Sequence, residues 1–267
     1  MNEGTSSLSG RTALITGSTG TGMGRSIALR LAKEGANVVL NYGTHRNYKT
    51  HAGGPDAQAR AEEVAAHVRR LGGNALIVPG DTREEEANRR MVEAAEKAFG
   101  GVDILVLAAG GEWKPRKLEE VTLAHWRDVI AAEVDAMFLA LKYVLPGMRE
   151  RRWGRIVAFS MNGAMTRKTL DATAADYTIG KTARTWLSLA VGHDEFAHGI
   201  TVNVIEPGPV AHMSLAAALA AVEGTNDAWA KREKPLAHDA AELVAFLCSE
   251  AGRFVSQSLI RYPTDGW

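Results

Sequence analysis

Tyr177 and Lys181 are separated by four positions in the segment "ADYTIGKTA". In a helix such positions lie one above the other, so the phenol and the ammonium can interact. A nearby ammonium stabilises a phenolate and lowers the pKa of the tyrosine. The pair therefore predicts a proton-transfer device. The alternative is a tyrosine packed on the core beside a solvated lysine, because this spacing also arises by chance in a long chain.

A glycine-rich segment, "TGSTGTGMGRSIA" (16–28), indicates an anion site. It follows an apolar strand predicted at 11–17 and opens a helix predicted at 24–35. Backbone N–H groups in such a turn, together with the positive end of a helix, hold a pyrophosphate where side chains would block the approach. The alternative is a glycine-rich turn without a ligand.

The elements that must position these residues alternate regularly along the chain. Strands are predicted at 37–42, 74–81, 102–110, 154–160, 200–208 and 258–262, and helices at 56–73, 84–100, 122–150, 172–197 and 238–250. Near-continuous apolar strands alternating with helices are typical of a parallel sheet covered on both faces. We therefore predict a single α/β domain over 1–267.

The amino-acid composition excludes several classes of protein and of binding site. The 267 residues contain 31 Lys+Arg and 31 Asp+Glu, so bulk charge indicates neither nucleic acid nor an anionic membrane as a partner. The single cysteine, Cys248, excludes an intramolecular disulfide and a cysteine-based metal cage. No apolar run is long enough to span a bilayer, and the N-terminus lacks the apolar core of a signal peptide. We expect a cytoplasmic protein without a metal site.

An ordered set of motifs resembles the short-chain dehydrogenase/reductase family. The start Thr16-Gly17…Gly22-Met23-Gly24 is similar to its T-G-x-x-x-G-x-G turn, with one extra residue that enlarges the turn. Asp81, "AAGG" (108–111), "LPGM" (145–148), the Tyr177–Lys181 pair and "EPGPV" (206–210) follow in the family's order, although Ala108 replaces the usual asparagine.

The resemblance implies a Rossmann-type doubly wound sheet and a nicotinamide cofactor. It implies that Tyr177 exchanges a proton with a ketone or secondary alcohol, and that Lys181 assists it and binds the nicotinamide ribose. It also implies a homotetramer or dimer. The cofactor-binding residues expected from the alignment are Gly17, Ser18, Thr19, Gly22, Met23, Gly24, Tyr42, Arg46, Asp81, Thr82, Ala109, Gly110, Tyr177, Lys181, Pro207, Gly208 and Val210.

Three positions depart from the family pattern. A gapless alignment places Met161 where the family has its carbonyl-polarising serine, with Ser160 one residue earlier and Asn162 one residue later. Ser160 is kept as a candidate catalytic residue, and the alternative is a buried hydroxyl bonded to backbone. Counting back from Pro146 puts Glu133 at the family's relay asparagine, where it would attract Lys181, carry the relay proton, or turn away into water. His212 stands at a threonine position.

NADP(H) is favoured over NAD(H). The family's NAD-preferring members carry an aspartate where the alignment places Tyr42, and Arg46 is positioned to pair with a 2′-phosphate. Thr21 stands where NADP-preferring relatives often have a basic residue, which counts against this preference. A polar insertion at 43–55 is predicted to cover the adenosine end, or to be a surface loop.

The substrate is expected to be a small apolar carbonyl compound or alcohol. The segment 211–234 is predicted as a substrate lid, and the predicted pocket residues are Trp113, Met161, Asn162 and His212. The alternative is that these apolar side chains only pack the lid or a subunit contact. Two other functions stay open: a non-redox isomerase, dehydratase or cyclase on the same scaffold, and a cofactor-binding sensor.

Overall fold

A computed structural model describes residues 7–44, 56–165, 174–224 and 235–262. The predicted insertion is outside the described residues from 45 to 55, including Arg46. The predicted lid is outside them from 225 to 234.

The predicted alternation of strands and helices is confirmed over the described residues. The strands are β1 (Thr12–Ile15), β2 (Asn37–Leu40), β3 (Ala75–Ile77), β4 (Ile104–Leu107), β5 (Gly154–Phe159), β6 (Ile200–Pro207) and β7 (Leu259–Tyr262). The helices are α1 (Met23–Lys33), α2 (Ala57–Arg70), α3 (Glu85–Phe99), α4 (Leu123–Ile130), α5 (Ala136–Arg151), α6 (Ala175–Glu195), α7 (Leu215–Val222) and α8 (Ala237–Cys248).

The seven strands form one parallel sheet in the order β3-β2-β1-β4-β5-β6-β7. The strand order reverses between β1 and β4, which opens a crevice at the carboxyl ends of these two strands. Helices cover both faces, as predicted from the strand composition.

The alternation of side chains along each strand produces two cores. In β1, Ala13 and Ile15 face the core built with α1, α2 and α8, whereas Leu14 faces the core built with α3 and α5. Both cores are closed to solvent, so the sheet is a rigid base for the loops at its carboxyl edge.

The helix predicted as one element over 122–150 contains a π-helical turn, Ala131–Asp135, between α4 and α5. A π turn inserts an extra residue into the helix and is frequently found at functional sites. Here it carries Glu133, whose side chain is fully buried.

Candidate active site

A cavity of about 420 Å³ lies at the carboxyl edge of the sheet. It brings together most of the residues predicted from the sequence. Those that line it are Gly17, Gly22, Met23, Gly24, Asp81, Thr82, Ala109, Gly110, Ser160, Met161, Tyr177, Lys181, Pro207, Gly208, Val210 and His212. The site is therefore assembled from every loop that leaves the central strands.

The turn between β1 and α1 is shaped by glycine. Gly17 has a φ of +65°, and a Cβ on Gly24 would lie 2.5 Å from the carbonyl oxygen of Gly17. The extra residue of the turn places Gly20 on the cavity wall. The N-terminus of α1 follows with no acidic residue in its first turn, so N–H groups and a positive helix end face the cavity. These features fit a dinucleotide cofactor.

Asn41, which the sequence analysis missed, holds this turn in place. Its side-chain oxygen accepts a hydrogen bond from the Gly17 N–H at 3.2 Å. Its amide donates to the carbonyls of Val78 and Gly80 at 3.2 and 3.1 Å. The sequence signal for Asn41 was a polar residue directly after the apolar run 38–40. Asn41 therefore ties the loops after β1, β2 and β3 together.

Of the predicted site residues that the structure describes, five do not line the cavity. Tyr42 packs against α2, where its hydroxyl donates to Gln58 at 2.5 Å, because successive residues of an extended chain point to opposite sides. Asn41 and Gly43 line the cavity instead. Ser18 bonds the backbone of Asn41, so its hydroxyl serves the turn. The remaining three, also absent from the lining, are Thr19, Trp113 and Asn162.

Asp81 lines the cavity but already has a cationic partner. Arg83 donates to it from Nε at 2.9 Å and from Nη2 at 2.5 Å, and also contacts Asp128. The predicted adenine contact is therefore a carboxylate held in place by a guanidinium.

The Tyr177–Lys181 pair forms as predicted on α6. The Lys181 Nζ lies 5.2 Å from the centre of the Tyr177 ring and donates to the Phe159 carbonyl at 3.3 Å. Both residues line the cavity. The core-packing alternative for this pair is wrong, since both side chains reach the site.

The electrostatic effect on Tyr177 differs from the expectation. Burial raises the pKa of Tyr177, the negative charge of Glu133 raises it further, and the cation that lowers it is Arg184. Burial also lowers the pKa of Lys181 to about 8, although Glu133 opposes this. The predicted lowering of the Tyr177 pKa is therefore reversed, because removing a phenolate from water outweighs the attraction of nearby cations.

Glu133 contacts two residues that line the cavity, Gly111 and Lys181. Its Oε1 accepts a hydrogen bond from the Gly111 N–H at 2.7 Å, and its Oε2 lies 3.1 Å from the Lys181 Nζ. The carboxylate is fully buried, so the hydrated alternative is wrong and the predicted attraction to Lys181 is confirmed.

Arg184 was missed by the sequence analysis. It is one per cent exposed, lies one turn beyond Lys181, and approaches the Glu133 Oε2 to 3.1 Å through Nη1. The signal was an arginine on the same helix face as Tyr177 and Lys181. Buried charges need partners, and Glu133 supplies one.

The catalytic role predicted for Ser160 is not supported. Its hydroxyl donates to the Lys181 carbonyl at 3.1 Å and accepts from the Thr185 hydroxyl at 2.7 Å. This is the buried, backbone-bonded alternative. The next residue, Met161, also lines the cavity.

His212 connects the predicted lid to the glycine-rich turn. Its Nδ1 lies 3.0 Å from the Thr21 hydroxyl, and the next residue, Met213, donates its N–H to the Thr21 carbonyl at 3.2 Å. The segment that carries His212 is therefore joined to the glycine-rich turn between β1 and α1.

The described residues show neither a metal-binding cluster nor a membrane-spanning helix. Among them, no cluster of three or more His, Cys, Asp or Glu is arranged to hold a metal ion. None of the helices in that part of the chain combines the length and apolarity needed to cross a membrane.

Comparisons with known proteins agree with this geometry. Residues 11–222 match the profile of the short chain dehydrogenase family. The chain is 32% identical to a 3-oxoacyl-[acyl-carrier-protein] reductase FabG of Staphylococcus epidermidis, over 74% of each sequence. It is 29% identical to the uncharacterized oxidoreductase YhxD of Bacillus subtilis, over 78% of this chain and 64% of that protein.

A solved structure extends the likeness to almost the whole chain. A dehydrogenase/reductase from Sinorhizobium meliloti 1021 superposes with a TM-score of 0.78 at 30% identity, covering 97% of this chain and 96% of the other. The protein belongs to the short-chain dehydrogenase/reductase family and is an NAD(P)-dependent enzyme of that family.

Proposed function

We propose that the protein is an NADP(H)-dependent oxidoreductase that interconverts a ketone and a secondary alcohol. The observation that carries this proposal is the Tyr177 phenol at a cavity that also contains the glycine-shaped cradle and the Lys181 ammonium. Proton donor and cofactor cradle thus open into one space, as a hydride-transfer reaction requires.

Each part of the site has its own role in the proposed reaction. A bound nicotinamide supplies or accepts the hydride. Tyr177 gives a proton to the developing alkoxide oxygen during reduction, or takes it from the alcohol during oxidation. Lys181 binds the nicotinamide ribose and assists the proton transfer by Tyr177. The N-terminus of α1, at Met23 and Gly24, binds the pyrophosphate through backbone N–H groups.

Tyr177 is the main hydrogen-bond donor to the carbonyl oxygen of the substrate. Met161 stands at the aligned serine position, and a thioether has no hydrogen to donate. The hydroxyl of Ser160 is directed to the backbone of α6. We infer a slow enzyme on simple ketones, or one whose substrate is already activated.

The proposed substrate class is a small apolar carbonyl compound or alcohol. Phe159, Met161, Val210 and Ala237 supply apolar surface to the cavity. The FabG relative is named for a 3-oxoacyl substrate. We therefore include a short 3-oxoacyl thioester among the test substrates beside simple apolar ketones.

The preference for NADP(H) is supported by the residues after β2. Asn41, Tyr42, Gly43 and Thr44 include no carboxylate that would repel a 2′-phosphate. Arg46 lies outside the described residues, and its proposed pairing with that phosphate rests on the sequence.

The proposal is tested with a panel of ketones and NADPH, monitored by NADPH absorbance. Tyr177→Phe should reduce turnover by about 10²–10⁴-fold, because it removes the proton and little else. NADPH affinity, measured by fluorescence titration, should change little and serves as the control. A variant that retains more than about a tenth of the wild-type rate contradicts the proton-transfer role.

A second candidate is a non-redox isomerase, dehydratase or cyclase. It is favoured by the buried Glu133 carboxylate at the relay position and by Met161 at the serine position. Product formation without a change in NADPH absorbance would identify this function. NADPH binding with no product from any substrate would instead favour a sensor.

Assembly and location are part of the proposal. Phe138 on α5, with Ile179 and Trp186 on α6, expose large apolar side chains. We propose that such surfaces are buried in a homotetramer or dimer, which light scattering tests. A cytoplasmic location is proposed with it, and cell fractionation tests that.

A further inference from the structure

Arg184 joins the ends of two central strands to the helix that carries Tyr177. Its Nη2 donates to the Ala109 carbonyl at 3.0 Å, after β4, and its Nη1 lies 3.4 Å from the Phe159 carbonyl at the end of β5. The same Nη1 lies 3.1 Å from the Glu133 Oε2. A guanidinium this deeply buried is costly unless each partner is well placed.

Glu133 is held between two cations. Its Oε2 is 3.1 Å from the Lys181 Nζ and 3.1 Å from the Arg184 Nη1. With all three side chains ionised, the trio carries one net positive charge. Without Arg184, Glu133 would neutralise Lys181, and Tyr177 would face no net positive charge from this group.

We propose that Arg184 is a positioning residue that supplies the constant positive charge of the Tyr177 site and offsets Glu133. The inference rests on the proposed function, because that function assigns the proton transfer to Tyr177. It gives a reason why this chain combines a carboxylate at position 133 with an arginine at 184.

The lowered pKa of Lys181 supports the assignment of the constant positive charge to Arg184. Burial lowers the pKa of Lys181 to about 8, so its positive charge is partly lost in mildly alkaline solution. Arginine side chains keep their proton throughout that range. Arg184 also draws the pKa of Tyr177 downward, against the effects of burial and of Glu133.

The groups that face Tyr177 come from three elements. Lys181 and Arg184 belong to α6, as Tyr177 does, and Glu133 belongs to the π turn. From α4, the His125 Nε2 lies 3.1 Å from Asp176, the neighbour of Tyr177 in the chain. The variants below leave this pair unchanged.

The test measures the titration of the Tyr177 phenol directly. The tyrosines are replaced by 3-fluorotyrosine, whose fluorine lowers the phenol pKa into an accessible range and reports ionisation by ¹⁹F NMR. The chain has five tyrosines, and Tyr177→Phe assigns the resonance. Turnover as a function of pH is recorded for the same proteins.

The decisive comparison is Glu133→Asn against Glu133→Asn/Arg184→Met. Glu133→Asn removes the carboxylate partner of Arg184 but keeps its contacts with the Ala109 and Phe159 carbonyls, and thermal unfolding checks that each protein folds. If Glu133→Asn does not fold, Arg184→Met and Arg184→Lys with Glu133 retained give the same comparison. Loss of Arg184 should raise the midpoint of the Tyr177 titration by about one pH unit or more, as expected for a nearby opposite charge. Adding Arg184→Lys to Glu133→Asn should keep the midpoint near that of Glu133→Asn, because it retains the charge.

Identical midpoints with and without Arg184 would overturn the inference and leave Arg184 a structural residue. A shifted midpoint in a protein that reduces no ketone would refute the proposed function while leaving the electrostatic role of Arg184 standing. The two failures are therefore distinguishable.

Discussion

The glycine-rich turn between β1 and α1 gives the sharpest stability prediction, because Gly24 and Gly22 lie in the same turn and differ in the space available for a side chain. A Cβ on Gly24 would lie 2.5 Å from the Gly17 carbonyl oxygen and 3.2 Å from the Ser18 Cα. A Cβ on Gly22 would have nothing within 4 Å, and Gly22 has a φ of −88°. Gly24→Ala therefore forces the backbone of the turn to move, whereas Gly22→Ala does not.

The magnitude follows from the nature of the clash. Both atoms that the Gly24 methyl would meet belong to backbone, so no side chain can rotate away, and overpacking of this kind costs about 1–3 kcal/mol. For a domain of this size that is a fall in Tm of about 2–12 °C. Gly22→Ala should cost at most about 1 kcal/mol, because alanine is a poorer N-cap than glycine but restricts the unfolded chain and meets no clash.

The assay is thermal and urea unfolding of both variants without cofactor, because both glycines line the cavity and a methyl at either affects binding. NADPH affinity is then measured separately, and Gly24→Ala should lose about tenfold or more, equivalent to about 1.4 kcal/mol. Equal stability of the two variants would refute the close approach of Gly24 to Gly17.

Three further predictions concern the site. Burial lowers the pKa of Lys181 from 10.5 to about 8, so the unfolded chain binds this proton more tightly than the folded protein. The contribution of Lys181 to the free energy of unfolding therefore rises between pH 8 and 10.5. In urea unfolding, Lys181→Met should lack that rise, and the same pH dependence in the wild type and the variant would contradict the prediction. Met161→Ser should raise kcat on activated ketones, while Ser160→Ala should cost about 1 kcal/mol of stability and little turnover; the opposite pattern would place Ser160 in the site. Arg46→Ala should weaken NADPH binding and leave NADH binding nearly unchanged in fluorescence titrations, and equal losses would show that Arg46 does not contact the 2′-phosphate.

The sequence alone determined the fold class and most of the cavity wall. Strands and helices have local periodicities, and a glycine-rich turn between a strand and a helix has few structural alternatives. The motif order predicted one site for Tyr177, Lys181, Asp81 and Gly208, and these residues line one cavity, because in a parallel sheet every strand delivers its following loop to the same edge.

Only the tertiary structure decided how the side chains at that edge interact. Tyr42 and Ser160 are the last residues of two predicted strands and lie beyond the ends of β2 and β5, yet the first contacts α2 and the second bonds the backbone of α6. The direction of a side chain beyond a strand depends on how the chain leaves the sheet, which local pattern does not encode. Arg184 was missed for a related reason: its carboxylate partner, Glu133, lies far from it in sequence, and the energy of this pair arises from burial in a shared interior.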